Sequence, residues 1–124
     1  MSINKMKDHG FRFQGMEIWK RAISIGSDLH DAADELESQG FRRYAEQLRA
    51  AALSISNNIA EGSGSGSNKD FANFLNIAHR SAFETANIVL FLHNKTLISK
   101  PDCDRLLSLL EEECRMITGF RRSL

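Results

Sequence analysis

Proline appears once in 124 residues, cysteine twice, and neither sign of charge is in excess. Each scarcity excludes something. A chain with so little proline, 42% apolar and 26% charged residues lacks the composition of disordered proteins and reads as globular and rich in regular structure. Lys and Arg balance Asp and Glu, 16 against 16, so no global field draws in a polyanion, although a local basic patch stays open. No run approaches the roughly 18 apolar residues of a membrane span, and Met1-Ser2-Ile3-Asn4-Lys5 lacks the apolar core of a signal peptide. A cytoplasmic protein with no membrane partner is expected. Cys103 and Cys114 are 11 residues apart in one helical pattern, about 16 Å along an axis and out of disulfide reach. They read as reduced thiols packed like small hydrophobes.

The motifs of catalysis and metal binding are also missing. None of the four histidines has a Glu three residues before it, which removes the Glu-x-x-His pairs of di-metal helical bundles. His30 and Asp34 stand one turn apart, but two ligands are an incomplete site and read as a surface pair. His79 reads as a boundary residue. The stretch Gly62-Ser63-Gly64-Ser65-Gly66-Ser67 resembles a phosphate loop only in its glycines; it follows a helix rather than a strand and no Gly-Lys-Ser/Thr closes it. No catalytic residue, cofactor, metal or small-molecule substrate is therefore assigned, and a non-enzyme is expected.

What the chain does contain is helical periodicity. Residues 1–15 form a loose arm, interrupted by Gly10 and Gly15, before a single domain over residues 16–124. Trp19, Ala22, Gly26, Leu29, Ala33 and Leu36 make one stripe, and Gly40 stops that helix. A second helix over residues 41–61 turns Tyr44, Leu48, Ala51, Ala52, Ile55 and Ile59 inward, with Gly62 as its stop. Ser67 and Asp70 cap a third helix, in which Phe71, Phe74, Leu75, Ala78, Ala82, Val89 and Leu92, beside Ile77, Ile88 and Phe91, make a face too wide for one partner helix. This helix is central or lies at a subunit contact. Ser99-Lys100-Pro101-Asp102 opens a fourth, lined by Leu106, Leu107, Leu110, Cys114, Ile117 and Phe120. Four such segments with short connectors and no strand pattern predict an all-α, up-down antiparallel four-helix bundle.

In that topology the end of helix two meets the starts of helices one and three and the end of helix four. One pole then gathers Trp19, Lys20, Arg21, Asn58, Glu61, Lys69, Arg121 and Arg122. Asn58 continues an apolar stripe, so its amide borders the core, either to fix helix register or to bind. A carboxylate near a helix C-terminus opposes the helix dipole, so Glu61 is expected to pair with one of those cations. A nucleic-acid surface, if there is one, draws on Arg42, Arg43, Arg49, Lys69, Arg80, Arg121 and Arg122, which are interleaved with acids such as Glu46, Asp70 and Glu84.

Met16-Glu17-Ile18-Trp19-Lys20-Arg21-Ala22 and Gln47-Leu48-Arg49-Ala50-Ala51-Ala52-Leu53-Ser54-Ile55-Ser56-Asn57-Asn58-Ile59-Ala60-Glu61-Gly62, with residues 71–75, 77–78 and 81–84, carry a resemblance. They are similar to the four-helix bundle family of proteins encoded in intervening sequences of bacterial 23S rRNA genes. The resemblance implies a cytoplasmic bacterial protein, a ring-like homopentamer and no known enzymatic activity. It also implies kinship with accessory proteins of diversity-generating retroelements, which work with reverse transcriptase and RNA and are strongly basic, unlike this neutral chain. Its motif positions here are Trp19, Asn58, Glu61, Gly62, Ser81 and Glu84. Ser56 stands where members usually carry proline, which predicts a less kinked second helix. The reading is a homo-oligomeric helical scaffold or interaction protein, with an RNA- or DNA-binding accessory module as the alternative.

Overall fold

A computed structural model describes residues 9–124. A short 3-10 helix, Arg12–Gly15, leads into α1 (Glu17–Ser38), α2 (Arg42–Ser63), α3 (Asn68–Asn94) and α4 (Lys100–Arg122). Among the described residues there is no strand, and no helix is long and apolar enough to cross a membrane. The contacts fix the antiparallel order. Glu37 of α1 meets Arg49 early in α2; Ser54 meets Ser81 while Tyr44, ten residues earlier, meets Phe91, ten residues later. Phe71 meets Phe120 across α3 and α4. Arg21 and Asp28 reach Glu112 and Arg105 in reverse order, which brings α4 back to α1.

The helices start and stop where local chemistry allows. Ser67 Oγ accepts the Asp70 amide at 3.1 Å and Ser99 Oγ that of Asp102 at 3.3 Å, each satisfying an orphan donor of the first turn. α1 ends with the Phe41 amide donating to the Leu36 carbonyl and that of Gly40 to the Glu37 carbonyl. This arrangement needs a left-handed residue, and Gly40 supplies it at φ +93°. α3 ends the same way, Leu97 to Leu92 and Thr96 to His93, but the left-handed residue is Thr96, at φ 61°.

One apolar core runs through the bundle, and its membership refines the expected stripes. In α1, Ile18 and Ile25 are inside while Gly26 is half-buried beside a groove; spacings of three and four permit either 25 or 26, and burial selects the larger apolar side chain. In α2 Ala45 replaces Tyr44, which lies at the flank between Phe41 and Phe91. Ile77, Leu90 and Phe91 of α3 are only partly covered, each more than 40% exposed. α2 runs unbroken through Ser56, which is buried.

Two boundaries differ from expectation. The part of the arm before residue 9 lies outside the described residues; within the rest, residues 12–15 form the 3-10 helix, which has no buried residue but touches the bundle through two side chains. The Phe13 ring packs at a tilt 4.9 Å from that of Trp19, and Arg12 sits 5.0 Å over the Phe71 ring. Gly62 does not stop α2, because the helix continues to Ser63 and only residues 64–67 connect it to α3. A Cβ at position 62 would stand 2.6 Å from Phe74 Cβ and 3.0 Å from Phe71 Cδ1. Glycine is there because the backbones of α2 and α3 nearly touch.

Candidate interaction site at one pole of the bundle

The pole formed by the start of α1, the end of α2, the start of α3 and the end of α4 brings the expected residues to one end, but not into one site. Trp19 is 8% exposed and covered by Phe13, so it anchors the 3-10 helix instead of facing a ligand. Asn58 is half-buried, and its Nδ2 donates to the Ser54 carbonyl at 2.7 Å and to Ser54 Oγ at 3.1 Å. Ser54 Oγ in turn shares a 2.8 Å hydrogen bond with Ser81 Oγ, and buried Thr85 donates to the Ser81 carbonyl. The Ser54–Ser81 bond staples α2 to α3 inside a mostly apolar seam, and the other bonds, each within one helix, satisfy groups that would be costly if left unpaired.

Glu61 departs from expectation. It is exposed, and among the described residues it takes part in no ion pair. Two of the cations named for it are engaged elsewhere. Arg21 turns to α4, with Nη2 3.0 Å from Glu112 Oε2 and Nε 3.8 Å from Glu113 Oε1. Arg121 Nε donates to the Ala72 carbonyl at 3.2 Å. Glu84 is exposed as well.

The carboxylate that matters electrostatically was not singled out by sequence. Glu113 is 0% exposed, neither of its oxygens has a hydrogen-bond partner, and burial pushes its carboxyl up to about 8 against the pull of Arg21, with a further push from Glu112. Within Glu111-Glu112-Glu113 an acid reads as solvated. The available signal was the stripe: Leu106, Leu110 and Ile117 leave position 113 at core spacing.

The candidate nucleic-acid contacts do not converge. Arg42 is paired with Glu46 at 3.0 Å, and Arg49 with Asp34 and Glu37, an arrangement that lowers the Asp34 carboxyl chiefly through its hydrogen bond from Arg49. Arg42, Arg43 and Arg49 lie toward one pole, Lys69, Arg121 and Arg122 at the other, and Arg80 midway on α3. His30, Asp31 and Asp34 place ligand atoms within 4.8 Å of one another, but all three are exposed and Asp34 is already held by Arg49. His79 is half-buried, its ring 5.0 Å from that of Phe83. Cys103 is a buried free thiol and Cys114 a half-buried one, both raised above the ordinary thiol range by burial.

Among the cavities beside the core, two run along helix pairs on opposite sides. One, of about 630 Å³ between α3 and α4, has Ala82, Ala86, Leu107 and Leu110 along its floor and His79 and Phe83 on its rim. The other, of about 440 Å³ between α1 and α2, is walled by Ile23, Gly26, Ala52 and Leu53.

The family model described as 23S rRNA-intervening sequence protein matches residues 14–119, nearly the whole bundle. The chain belongs to this family. A crystal structure of a protein of unknown function from the S23 ribosomal protein family of Bacteroides thetaiotaomicron superposes with a TM-score of 0.80 at 21% identity, over 84% of this chain and 97% of that one. That likeness concerns the fold. No curated protein matches the chain. Of the positions expected from the resemblance to the 23S rRNA-intervening sequence family, Trp19, Asn58, Gly62 and Ser81 work in packing and hydrogen bonding, while Glu61 and Glu84 remain at the surface.

Proposed function

We propose that the chain is a non-enzymatic helical scaffold that assembles with copies of itself, and that α3 carries the contact. The observation behind this reading is the exposure of large apolar side chains on that helix: Phe83 is 63% and Leu90 49% exposed. They stand seven residues apart on one helical face, and Phe83 lines the α3–α4 groove. Large apolar side chains left exposed on one helical face mark a contact site. Across the bundle, the α1–α2 groove presents Leu53, 57% exposed. The two grooves lie on opposite sides of a four-helix bundle, so a second copy joining one to the other makes a head-to-tail contact, which closes into a ring when the rotation per copy allows. A homopentamer is the assembly that the family resemblance implies. Light scattering on the eluting protein tests the reading. A multimer that Phe83→Glu converts to a folded monomer is the expected result, and a wild-type chain that elutes as a monomer at micromolar concentration overturns it.

A second reading, an RNA- or DNA-binding accessory role, is favoured by one feature. The pole at the start of α1 collects Arg12, Lys20, Lys69, Arg121 and Arg122 against Glu17, Glu61 and Asp70. Phosphate contacts there predict an RNA affinity that falls steeply as salt rises; affinity indifferent to salt contradicts them.

A further inference from the structure

Glu113 occupies a position in α4 where the turns on either side place Leu110 and Ile117. Its side chain is fully buried and both oxygens lack a hydrogen-bond partner. The Arg21 guanidinium of α1 is the facing cation. Its Nε is 3.8 Å from Glu113 Oε1, too far for a hydrogen bond, and this Nε is itself buried without a partner. The other end of the guanidinium lies 3.0 Å from Glu112 Oε2, on a half-exposed side chain. Arg21 thus spans two carboxylates, ion-paired with the outer one and only near the inner one. The groups whose charge acts on Glu113 are Arg21 from α1 and Glu112 on its own helix; Cys114, also on α4, is affected by it in return, and no charged group of α2 or α3 acts on it.

A buried carboxylate with no hydrogen bond and one distant cation is strongly destabilising, whereas the neutral acid is tolerated. We propose that Glu113 is a proton-sensing residue of the α1–α4 seam: the packed bundle holds it as the neutral acid, and loss of its proton to solvent draws Arg21 from Glu112 to Glu113 and loosens that seam. A displacement of under one ångström brings Arg21 Nε into hydrogen-bond range of the ionised group, so the guanidinium has two alternative partners within reach. This device is independent of self-assembly and operates in a monomer as well.

The sign follows from linkage. The packed chain keeps the proton to higher pH than the unfolded chain, whose Glu113 titrates near the ordinary value of 4.5. Stability from this group is therefore greatest in acid and is lost as pH rises toward about 8, by up to roughly tenfold in the unfolding equilibrium per pH unit. The experiment compares urea unfolding of the wild type and Glu113→Gln from pH 5 to 9, with carbon-detected NMR titration of the wild-type Glu113 carboxyl as a measurement that needs no variant. Taking the ratio of the two unfolding constants cancels every other titrating group. That ratio is expected to rise by about fifty-fold between pH 6 and pH 8, the carboxyl to titrate well above the other glutamates, and amide exchange in alkali to quicken first in α1 and α4. A ratio that stays flat, a carboxyl midpoint among those of the exposed glutamates, or a loss of protection spread evenly over all four helices overturns the proposal.

Discussion

Gly62→Ala is the substitution whose outcome the packing decides most sharply. Alanine is the better helix former by about 1 kcal/mol in a helix interior, and position 62 lies inside α2, so propensity alone favours the change. Packing opposes it. The added methyl would stand 2.6 Å from Phe74 Cβ and 3.0 Å from Phe71 Cδ1, whereas carbon atoms settle at roughly 3.5–4.0 Å. A ring could rotate away, but Phe74 Cβ moves only with the backbone of α3, so the two helices must part by about 1 Å along a seam that also carries the Ser54–Ser81 hydrogen bond. Overpacking of this kind costs typically 1–3 kcal/mol, and the rigid obstacle places this case toward the upper end. The net loss is then about 1–2 kcal/mol, or a fall in Tm of roughly 3–8 °C for a domain of this size. Gly26→Ala is the control, because it too lies inside a helix but has nothing within 4 Å of its added methyl. It should gain up to about 1 kcal/mol. Thermal and urea unfolding of both variants read the difference, and a Gly62→Ala protein as stable as the wild type would refute the close approach of α2 and α3.

Other perturbations follow from particular contacts. Thr96 is β-branched and left-handed, so Thr96→Gly should stabilise by about 0.5–1 kcal/mol after the extra freedom of the unfolded chain is counted; a loss of stability in urea melts contradicts the strain. Ser54→Ala and Ser81→Ala should each cost about 1 kcal/mol, but the double variant should cost less than their sum by roughly 0.5 kcal/mol or more, since one removes the other's partner; strict additivity would dissolve the staple. Glu61→Gln should leave the isolated bundle unchanged or more stable by a few tenths of a kcal/mol, as its charge opposes the α2 dipole, and a clear fall in Tm would reveal an internal partner.

The helices and their antiparallel order were legible because α1, α2 and α4 repeat apolar residues every three or four positions, and because Gly40, Ser67 and Ser99 advertise their ends in residue type. The end of α3 was not, because Thr96 performs the task of Gly40 without glycine, and tertiary packing overrides its local preference. Gly62 was legible as important and misread in role. A glycine after a helical stripe looks the same whether the chain ends there or another backbone presses on it, and only the position of Phe74 separates the two. Glu113 escaped for the converse reason: its neighbours are acids, so composition votes for solvent while the spacing from Leu110 and Ile117 votes for the core. The polar pole was half legible. Topology alone brought its residues to one end, but which cation meets which acid depends on side-chain reach across α1 and α4, and Arg21 finds the acids of α4 instead of Glu61.

The residues marked by the resemblance divide by what the chain alone can explain. Gly62 lets two helices touch, Asn58 and Ser81 satisfy groups inside the same seam, and Trp19 holds the leading 3-10 helix; each is accounted for by the isolated fold. Glu61 is not. It sits in the last turn of α2, where a negative charge is unfavourable, and none of the ion pairs among the described residues relieves it. Glu84 is likewise exposed, next in sequence to Phe83, the most exposed large apolar side chain of α3. An unfavourable charge and an uncovered aromatic are both features that a folded monomer gains nothing by keeping. Both are resolved at once if a second copy supplies a cation to one and apolar surface to the other, which is why the assembly reading rests on residues the core does not use.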